Sequence, residues 1–215
     1  MKDYIKINQE VYDALALEYG QRIEHYKNAK IKLCQPFIDE LKCNFVNPTV
    51  LELGCGAGLN LMYFEQEKFK TTAIEISEKM IQVSKEIAPK TAYIHDEFLE
   101  HDFGKAKFHG IFAHSFIHLF TKEDAAIVMK KINALLVDKG VLFIGTTKHK
   151  ESKEGYVRKH DYQSSKLARF RREWKKEDLL EFLQSFGFKI FRIGEFEEPD
   201  KQKSWVWVVL KKELI

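Results

Sequence analysis

Residues 50–58 (VLELGCGAG) constrain the fold of this chain more than any other part of its sequence. An apolar strand runs into glycines at alternate positions, Gly54, Gly56 and Gly58, and a helix-like segment follows directly. Glycine is required where a backbone turns sharply or approaches a ligand closely. In open α/β sheets, the crevice at a strand end and the next helix N-terminus binds nucleotide-like cofactors. The segment therefore predicts a strand, a cofactor-binding loop and a helix.

Strand-like and helix-like segments alternate from residue 48 onward. Strands are predicted at 49–53, 71–76, 91–94, 108–114 and 140–145, and helices at 59–66, 78–87, 121–136 and 175–186. Such alternation implies parallel βαβ units with right-handed crossovers. The last strands, at 188–193 and 205–210, have no helix between them, so one of them is expected to run antiparallel to the rest. Residues 1–47 carry two helical apolar stripes and are predicted to form an N-terminal helical cap.

Composition restricts the class of protein. A chain of 215 residues, 45% of them hydrophobic, is expected to form one domain with a buried core. No apolar stretch approaches the ~20 residues of a membrane-spanning helix, and the N-terminus lacks a signal-peptide pattern. The three cysteines, Cys34, Cys43 and Cys55, and the eight histidines match no metal-binding or redox spacing. We therefore expect a cytoplasmic protein with reduced thiols and no metal.

Charge is distributed unevenly along the chain. The net charge is +3, but residues 148–176 contain eleven Lys and Arg against four Asp and Glu. Tyr156, Tyr162, Phe170 and Trp174 are interleaved with this basic segment. Arginine suits carboxylate and phosphate groups, so the segment is predicted either to hold an anionic substrate or to be a solvated lid. The candidates are Arg158, Lys159, Arg169, Arg171 and Arg172.

Glu75 adds an acidic residue at the end of the second strand, 21 residues after Gly54. A carboxylate at this place can accept hydrogen bonds from both hydroxyls of a ribose. The glycine spacing G-x-G-x-G departs from the dinucleotide fingerprint G-x-G-x-x-G, which disfavours a nicotinamide dehydrogenase.

With these residues, the chain resembles class I S-adenosylmethionine-dependent methyltransferases over about residues 45–213. The family's first motif, an acidic residue in a strand followed by G-x-G-x-G, matches Glu52 and the three glycines. Its ribose-binding acid matches Glu75, and its adenine-binding acid matches Asp96. The histidine-containing helix start after the fourth strand matches residues 115–119, and the late helix and strand pair match the end of the chain.

The resemblance implies an α/β fold, a three-layer Rossmann-like sandwich with a seven-stranded, mostly parallel sheet and one antiparallel strand near the C-terminal edge. Residues 1–47 would be the helical cap, and 48–215 the cofactor-binding domain with a basic lid inserted at about 148–174. The implied cofactor is S-adenosyl-L-methionine, with S-adenosyl-L-homocysteine as product. The implied cofactor-binding residues are Tyr19, Glu52, Gly54, Cys55, Gly56, Gly58, Asn60, Glu75, Ile76, Asp96, Glu97 and His114.

For the methyl acceptor, the sequence gives candidate residues with alternative roles. His118 is the candidate general base, with a structural hydrogen bond as the alternative role. Cys55 is interpreted as a small residue that suits the loop rather than as a catalytic thiol. The candidate substrate residues are Tyr156, Arg169, Arg171 and Arg172.

The predicted activity is methyl transfer to a small-molecule acceptor, anionic or aromatic, by a monomer or homodimer that binds no membrane, with nucleic acid as a disfavoured but open partner. A first alternative is an RNA methyltransferase, which the basic segment favours and the lack of a recognisable additional RNA-binding domain disfavours. A second alternative is a protein that binds the cofactor without catalysis.

Overall fold

The computed structural model describes residues 1–158, 168–198 and 203–213 of the chain. Its helices are α1 (Asp3–Gln21), α2 (Ile23–Asn44), α3 (Leu59–Gln66), α4 (Glu78–Ile87), α5 (Lys122–Leu135) and α6 (Lys176–Gln184). Its strands are β1 (Thr49–Leu53), β2 (Lys70–Glu75), β3 (Ala92–His95), β4 (Phe108–His114), β5 (Leu136–His149), β6 (Lys153–Arg158), β7 (Ala168–Lys175), β8 (Phe188–Glu198) and β9 (Lys203–Lys212). A short 3-10 helix, Ile117–Leu119, follows β4.

The main sheet confirms the predicted strand directions. Five parallel strands lie in the order β3-β2-β1-β4-β5. Strand β9 lies antiparallel between β5 and β8, since only four residues separate β8 from β9 and a parallel pair needs a crossover of a dozen or more. These seven strands are the predicted sheet, with its antiparallel strand next to the C-terminal edge.

The three-layer arrangement follows from the alternation of side chains along the strands. Ile111 and Leu142 lie on one face, in a cluster with residues of α5 and α6. Their neighbours Phe112 and Phe143 lie on the other face, where Phe37 of α2 packs 5.2 Å from Phe112 between ring centroids. Both faces of the sheet are therefore covered by helices, as parallel sheets require.

The predicted helical cap is formed by α1 and α2. The apolar stripes that predicted these helices are buried, Val11 and Leu15 in the first and Phe37 and Leu41 in the second. Helix α2 continues through Pro36.

Helix α1 is fixed to the carboxyl edge of the sheet at two separate places. Near β2, the Gln9 side-chain amide donates to the carbonyl of Ile76 at 3.0 Å. Near β7, Asn8 Oδ1 accepts the backbone N–H of Phe170 at 2.8 Å, and Asn8 Nδ2 donates to the Phe170 carbonyl at 3.3 Å. One helix thus connects two distant strands across the end of the sheet.

The basic segment forms a hairpin, which the sequence did not predict. Strand β5 extends past the predicted 140–145, and its last residues, Lys148 and His149, pair with β7. Strand β7 in turn pairs antiparallel with β6. Of the predicted lid residues, Lys159 lies outside the described part of the chain, as does Tyr162.

The start of α5 is tied to the N-terminal segment. Thr121 caps the helix by accepting the N–H of Asp124 at 3.2 Å. The Asp124 carboxylate accepts hydrogen bonds from Tyr4 and Lys2. No helix in the described ranges is long and apolar enough to cross a bilayer.

Candidate active site

The three glycines after β1 all have positive φ, but the structure requires them for different reasons. A Cβ on Gly58 (φ 82°) would lie 2.2 Å from Ser84 Oγ of α4, so this glycine permits close packing of the loop on that helix. A Cβ on Gly54 (φ 65°) would lie 2.8 Å from the ring of Phe116. A Cβ on Gly56 (φ 52°) would meet nothing within 4 Å. Gly56 is thus the glycine whose backbone is exposed to open space.

Glu75 lies at the end of β2 with its carboxylate against the glycine loop. Its Oε2 accepts the N–H of Gly56 at 2.9 Å, and its Oε1 accepts the N–H of Ser77 at 3.0 Å. Burial raises the pKa of Glu75, while the N–H groups of Ser77 and Gly56 act in the opposite direction. Two carboxylate oxygens have about four acceptor positions, so this residue can accept further hydrogen bonds from a ligand.

Asp96 and Glu97 follow β3 at the same edge. The Asp96 carboxylate accepts the N–H of Glu97 at 2.8 Å and contacts His101 Nδ1 at 2.8 Å, and these bonds hold its pKa below the ordinary value. The Glu97 carboxylate accepts the N–H groups of Leu99 and Glu100, each at 3.0 Å, and burial raises its pKa. Each acid therefore also supports its own turn.

Beneath the loop, Glu52 and Asn60 connect β1 to α3. The Asn60 amide donates to Glu52 Oε1 at 2.7 Å, and the Cys34 thiol approaches Asn60 Oδ1 at 3.6 Å. Burial, followed by the charges of Glu75 and Glu52, raises the pKa of the Cys55 thiol well above its ordinary value. Cys55 therefore stays protonated, which agrees with its interpretation as a small loop residue.

Two histidines lie at and after the end of β4. The His114 ring stacks on Trp205 with 5.0 Å between centroids. His118 is 2% exposed, and its Nδ1 is 2.9 Å from Thr146 Oγ1. Burial, and then the charges of Arg171 and Arg169, lower the pKa of His118 well below its ordinary value. The imidazole is consequently neutral at physiological pH and only weakly basic.

One cavity of about 810 Å³ brings most of the predicted residues together. The predicted residues that line it are Tyr19, Gly54, Cys55, Gly56, Asn60, Glu75, Ile76, Asp96, Glu97, His114, His118, Arg158, Arg169 and Arg171. The predicted residues that do not line it are Glu52, Gly58, Tyr156 and Arg172. Glu52 and Gly58 support the loop from behind, as their contacts show.

Successive side chains of β7 point to opposite faces of the strand, so its three arginines do not all face the cavity. Arg169, Arg171 and Glu173 lie on the face that lines the cavity. Phe170 and Trp174, on the opposite face, are buried in the core. Side chains two apart on a strand share a face, so β7 presents two arginines and one glutamate to the cavity.

Arg172 and Tyr156 have other contacts. Arg172 pairs with Glu154 at 2.9 Å, and its guanidinium carbon lies 4.4 Å from the centroid of the Trp174 ring. Tyr156 is 54% exposed and meets Phe170 edge-on. Both residues stabilise the hairpin on the side away from the cavity.

Arg169 and Arg171 are each held by a hydroxyl group. Arg169 Nη1 donates to Tyr12 Oη at 2.8 Å, and the guanidinium lies 5.7 Å from the centre of the same ring. Arg171 donates to Thr147 Oγ1 at the end of β5. The cavity thus has acidic groups at the β2 and β3 ends and basic groups at the β7 end.

Asn8 and Trp205 are among the lining residues that were missed from the sequence. Asn8 is a polar residue on the buried face of α1, one turn before Tyr12, and that placement could have drawn attention to it. Trp205 lies near the start of β9, and an antiparallel strand starts at the edge where the parallel strands end. An antiparallel direction assigned to this strand could therefore have drawn attention to Trp205.

Comparisons with known proteins agree with this geometry. A family model described as a methyltransferase domain matches residues 50–140. A search of curated proteins found no match.

Solved structures share the fold at low sequence identity. 1,6-Didemethyltoxoflavin-N1-methyltransferase of Burkholderia thailandensis is 17% identical with a TM-score of 0.77, and the match covers 99% of this chain and 90% of that one. Magnesium protoporphyrin IX methyltransferase of Synechocystis is 15% identical with a TM-score of 0.72, covering 99% of both chains. A glycopeptide N-methyltransferase is 14% identical with a TM-score of 0.64, covering 85% of this chain and 90% of that one.

The match begins at the strand that leads into the glycine loop and extends into β5, so it includes Glu75, Asp96 and both histidines. Residues 50–140 therefore match a methyltransferase domain, and the chain shares the fold of solved S-adenosylmethionine-dependent methyltransferases.

Proposed function

We propose that the protein transfers a methyl group from S-adenosyl-L-methionine to a small-molecule acceptor bound in the same cavity. The observation that carries this proposal is a single cavity of about 810 Å³ that runs from the glycine loop to the arginine face of β7. Small-molecule sites have volumes of about 300–1,000 Å³, and this one lies near the upper end. A cavity of that size supports a site for two ligands.

The residues at the β2 end fit the cofactor. Gly56 has no atom within 4 Å of where a Cβ would lie, so its backbone is open to the cavity. The buried Glu75 carboxylate lies beside it with remaining acceptor capacity, in the position proposed to bind ribose hydroxyls. Asp96 is proposed to accept from the adenine amino group. The cofactor, when bound, supplies the methyl group and its own leaving group.

The protein's part in methyl transfer is to bind, orient and exclude water. The high pKa of the Cys55 thiol argues against a nucleophilic role. The low pKa of His118 makes it a poor proton acceptor, and its contact with Thr146 supports a positioning role at the end of β4. The prediction of His118 as general base thus has less support than its structural alternative.

The acceptor is proposed to be a small molecule rather than RNA. Arg169 and Arg171 face into the cavity, while an RNA-binding patch would need its basic groups on an exposed surface. The toxoflavin precursor and magnesium protoporphyrin named for the neighbouring structures are small molecules as well. A cytoplasmic location remains our proposal, supported by three free cysteines.

A screen of a metabolite library tests the proposed function. The protein is incubated with S-adenosylmethionine and pooled metabolites, and mass spectrometry detects any compound that gains a methyl group together with S-adenosylhomocysteine. We expect at least one small molecule to be methylated. Glu75→Gln should abolish most of that gain, while Glu78→Gln, an exposed acid three residues along, should not. Methylation of RNA alone, or cofactor binding without any methylated product, would contradict the proposal.

A further inference from the structure

Arg169 is a buried cation without a buried counterion. Arg169 is only 6% exposed, and it lines the cavity. It forms no ion pair with any described residue, and its Nε has no hydrogen-bond partner among them. The single hydrogen bond of the guanidinium goes to the uncharged Tyr12 hydroxyl. A buried charge is costly unless it is paired, so this site is electrostatically incomplete.

The acids nearest in the fold are engaged elsewhere. Glu173 shares the cavity face of β7 but contacts His149 at 3.5 Å and Lys153 at 3.6 Å. Glu75 accepts two backbone N–H groups at the opposite, β2 end of the cavity. Arg171 lines the cavity on the same face of β7 as Arg169, so two guanidinium groups lie at this end. An anion entering the cavity would be attracted to the β7 end.

The guanidinium of Arg169 is also held in place before any ligand arrives. Tyr12 binds it through the hydroxyl and lies against it with its ring. Asn8, one turn earlier on α1, binds both the N–H and the carbonyl of Phe170, the residue next to Arg169. Helix α1 therefore fixes both the backbone and the side chain of this arginine. Preorganised charge of this kind is typical of a recognition site.

We propose that Arg169 binds a carboxylate or phosphate group of the methyl acceptor, so that the enzyme selects anionic acceptors. This inference rests on the proposed function for the identity of the ligand as acceptor. A planar guanidinium presents paired N–H donors that match carboxylate and phosphate geometry. Trp205, stacked on His114, offers an aromatic surface in the same cavity. Aromatic acids are the simplest compounds with both features.

The cofactor also carries a carboxylate, so the experiment must separate two sources of the anion. Calorimetry with S-adenosylhomocysteine should give the same dissociation constant for wild type and Arg169→Gln. A tenfold weaker affinity of the variant would assign Arg169 to the cofactor and overturn the proposal.

Anion binding is measured on protein saturated with S-adenosylhomocysteine, with benzoate as probe and uncharged benzamide as its control at equal ionic strength. We expect benzoate, but not benzamide, to raise the melting temperature of the wild type. Arg169→Gln should bind benzoate about ten- to a hundredfold more weakly, because a charged hydrogen-bonded contact is lost. Arg172→Gln removes the same charge from the opposite face of β7 and should keep the wild-type response.

Each variant is compared with its own melting temperature without probe, so a change in stability does not obscure the result. Arg169→Lys keeps the charge but loses the paired donors, and we expect it to fall between wild type and Arg169→Gln. Equal benzoate responses in wild type and Arg169→Gln would overturn the proposal. A normal benzoate response in a protein that methylates nothing would contradict the proposed function and leave the anion site established.

Discussion

At the scale of single residues, Gly56 and Gly58 show one residue type meeting two physical requirements. Both have positive φ, where a side chain costs about 1–2 kcal/mol. A Cβ on Gly58 would in addition overlap Ser84, whereas a Cβ on Gly56 would enter open space. The sequence pattern predicts that glycines are needed here, but only packing shows which one borders the cavity.

Substituting each glycine by alanine separates the two requirements. Gly58→Ala should lower the free energy of unfolding by at least about 2 kcal/mol, since backbone strain and the overlap with Ser84 add. Gly56→Ala should cost less stability but weaken binding of S-adenosylhomocysteine about tenfold or more, because the methyl group occupies the ligand's side of the loop. Urea unfolding and calorimetry on both variants measure this. Equal stability losses with unchanged affinities would show that Gly56 does not border the cofactor.

His118 gives a prediction about pH. Its folded-state pKa lies well below 6.5, because of burial and then of Arg171 and Arg169, so only the unfolded chain takes up a proton as the pH falls below that value. The unfolded state then binds more protons, and the stability contribution of the neutral ring is lost progressively below pH 6.5. Between pH 7.5 and 5.5, wild type should therefore lose about 1 kcal/mol more than His118→Gln.

Urea unfolding at the two pH values checks this difference. His149, whose pKa is also lowered by burial, is present in both proteins and cancels. An identical pH dependence in wild type and His118→Gln would mean that His118 titrates normally in the folded protein.

At the scale of secondary-structure elements, α1 depends on Asn8 for its attachment to β7. Asn8→Ala would leave the buried N–H of Phe170 without its acceptor, which costs about 1–3 kcal/mol. We expect the free energy of unfolding to fall by that amount. Glu10→Ala, an exposed position on the same helix, should change it by less than about 0.5 kcal/mol. Comparable losses in the two variants would show that the Asn8 hydrogen bonds contribute little.

The elements that the sequence predicted well are those with a strong apolar period. Strand β4 and helix α3 have the predicted bounds, because their apolar residues and flanking turns leave little choice. The hairpin β6–β7 was missed, since charged residues occupy the cavity face of β7 and hide the alternation with Phe170 and Trp174. The extension of β5 to His149 was missed for the same reason, because its last pairs are with that hairpin.

The candidate site was predictable where it depends on strand ends. Glu75 and Asp96 follow their strands at the same edge, so the order of strands alone brings them together. The acceptor end of the cavity was not predictable from the sequence. Arg169 and Arg172 lie on opposite faces of β7, and the sequence did not predict this strand. Tyr12 contacts Arg169, which lies 157 positions away in the sequence, so local sequence patterns do not indicate this pair.

At the scale of the whole molecule, ligand binding should stabilise the folded chain by mass action. S-adenosylhomocysteine at a hundred times its dissociation constant adds about 2.7 kcal/mol. For a protein of this size, that corresponds to a rise in melting temperature of roughly 5–10 °C. NAD at the same concentration should give no rise, since the glycine spacing lacks the dinucleotide pattern. A rise with NAD and none with S-adenosylhomocysteine would contradict the cofactor assignment.

Helix α1 has 19 residues and is therefore about 28 Å long. It contacts Ile76 beside the cofactor end of the cavity and Phe170 and Arg169 beside the acceptor end. Because these contacts come from residues 8–12, about one turn of the helix, a displacement of that turn loosens both ends of the cavity together. Dissociation of either ligand past this helix then requires the same displacement of α1. A substitution that loosens α1 should therefore shorten the residence times of both ligands.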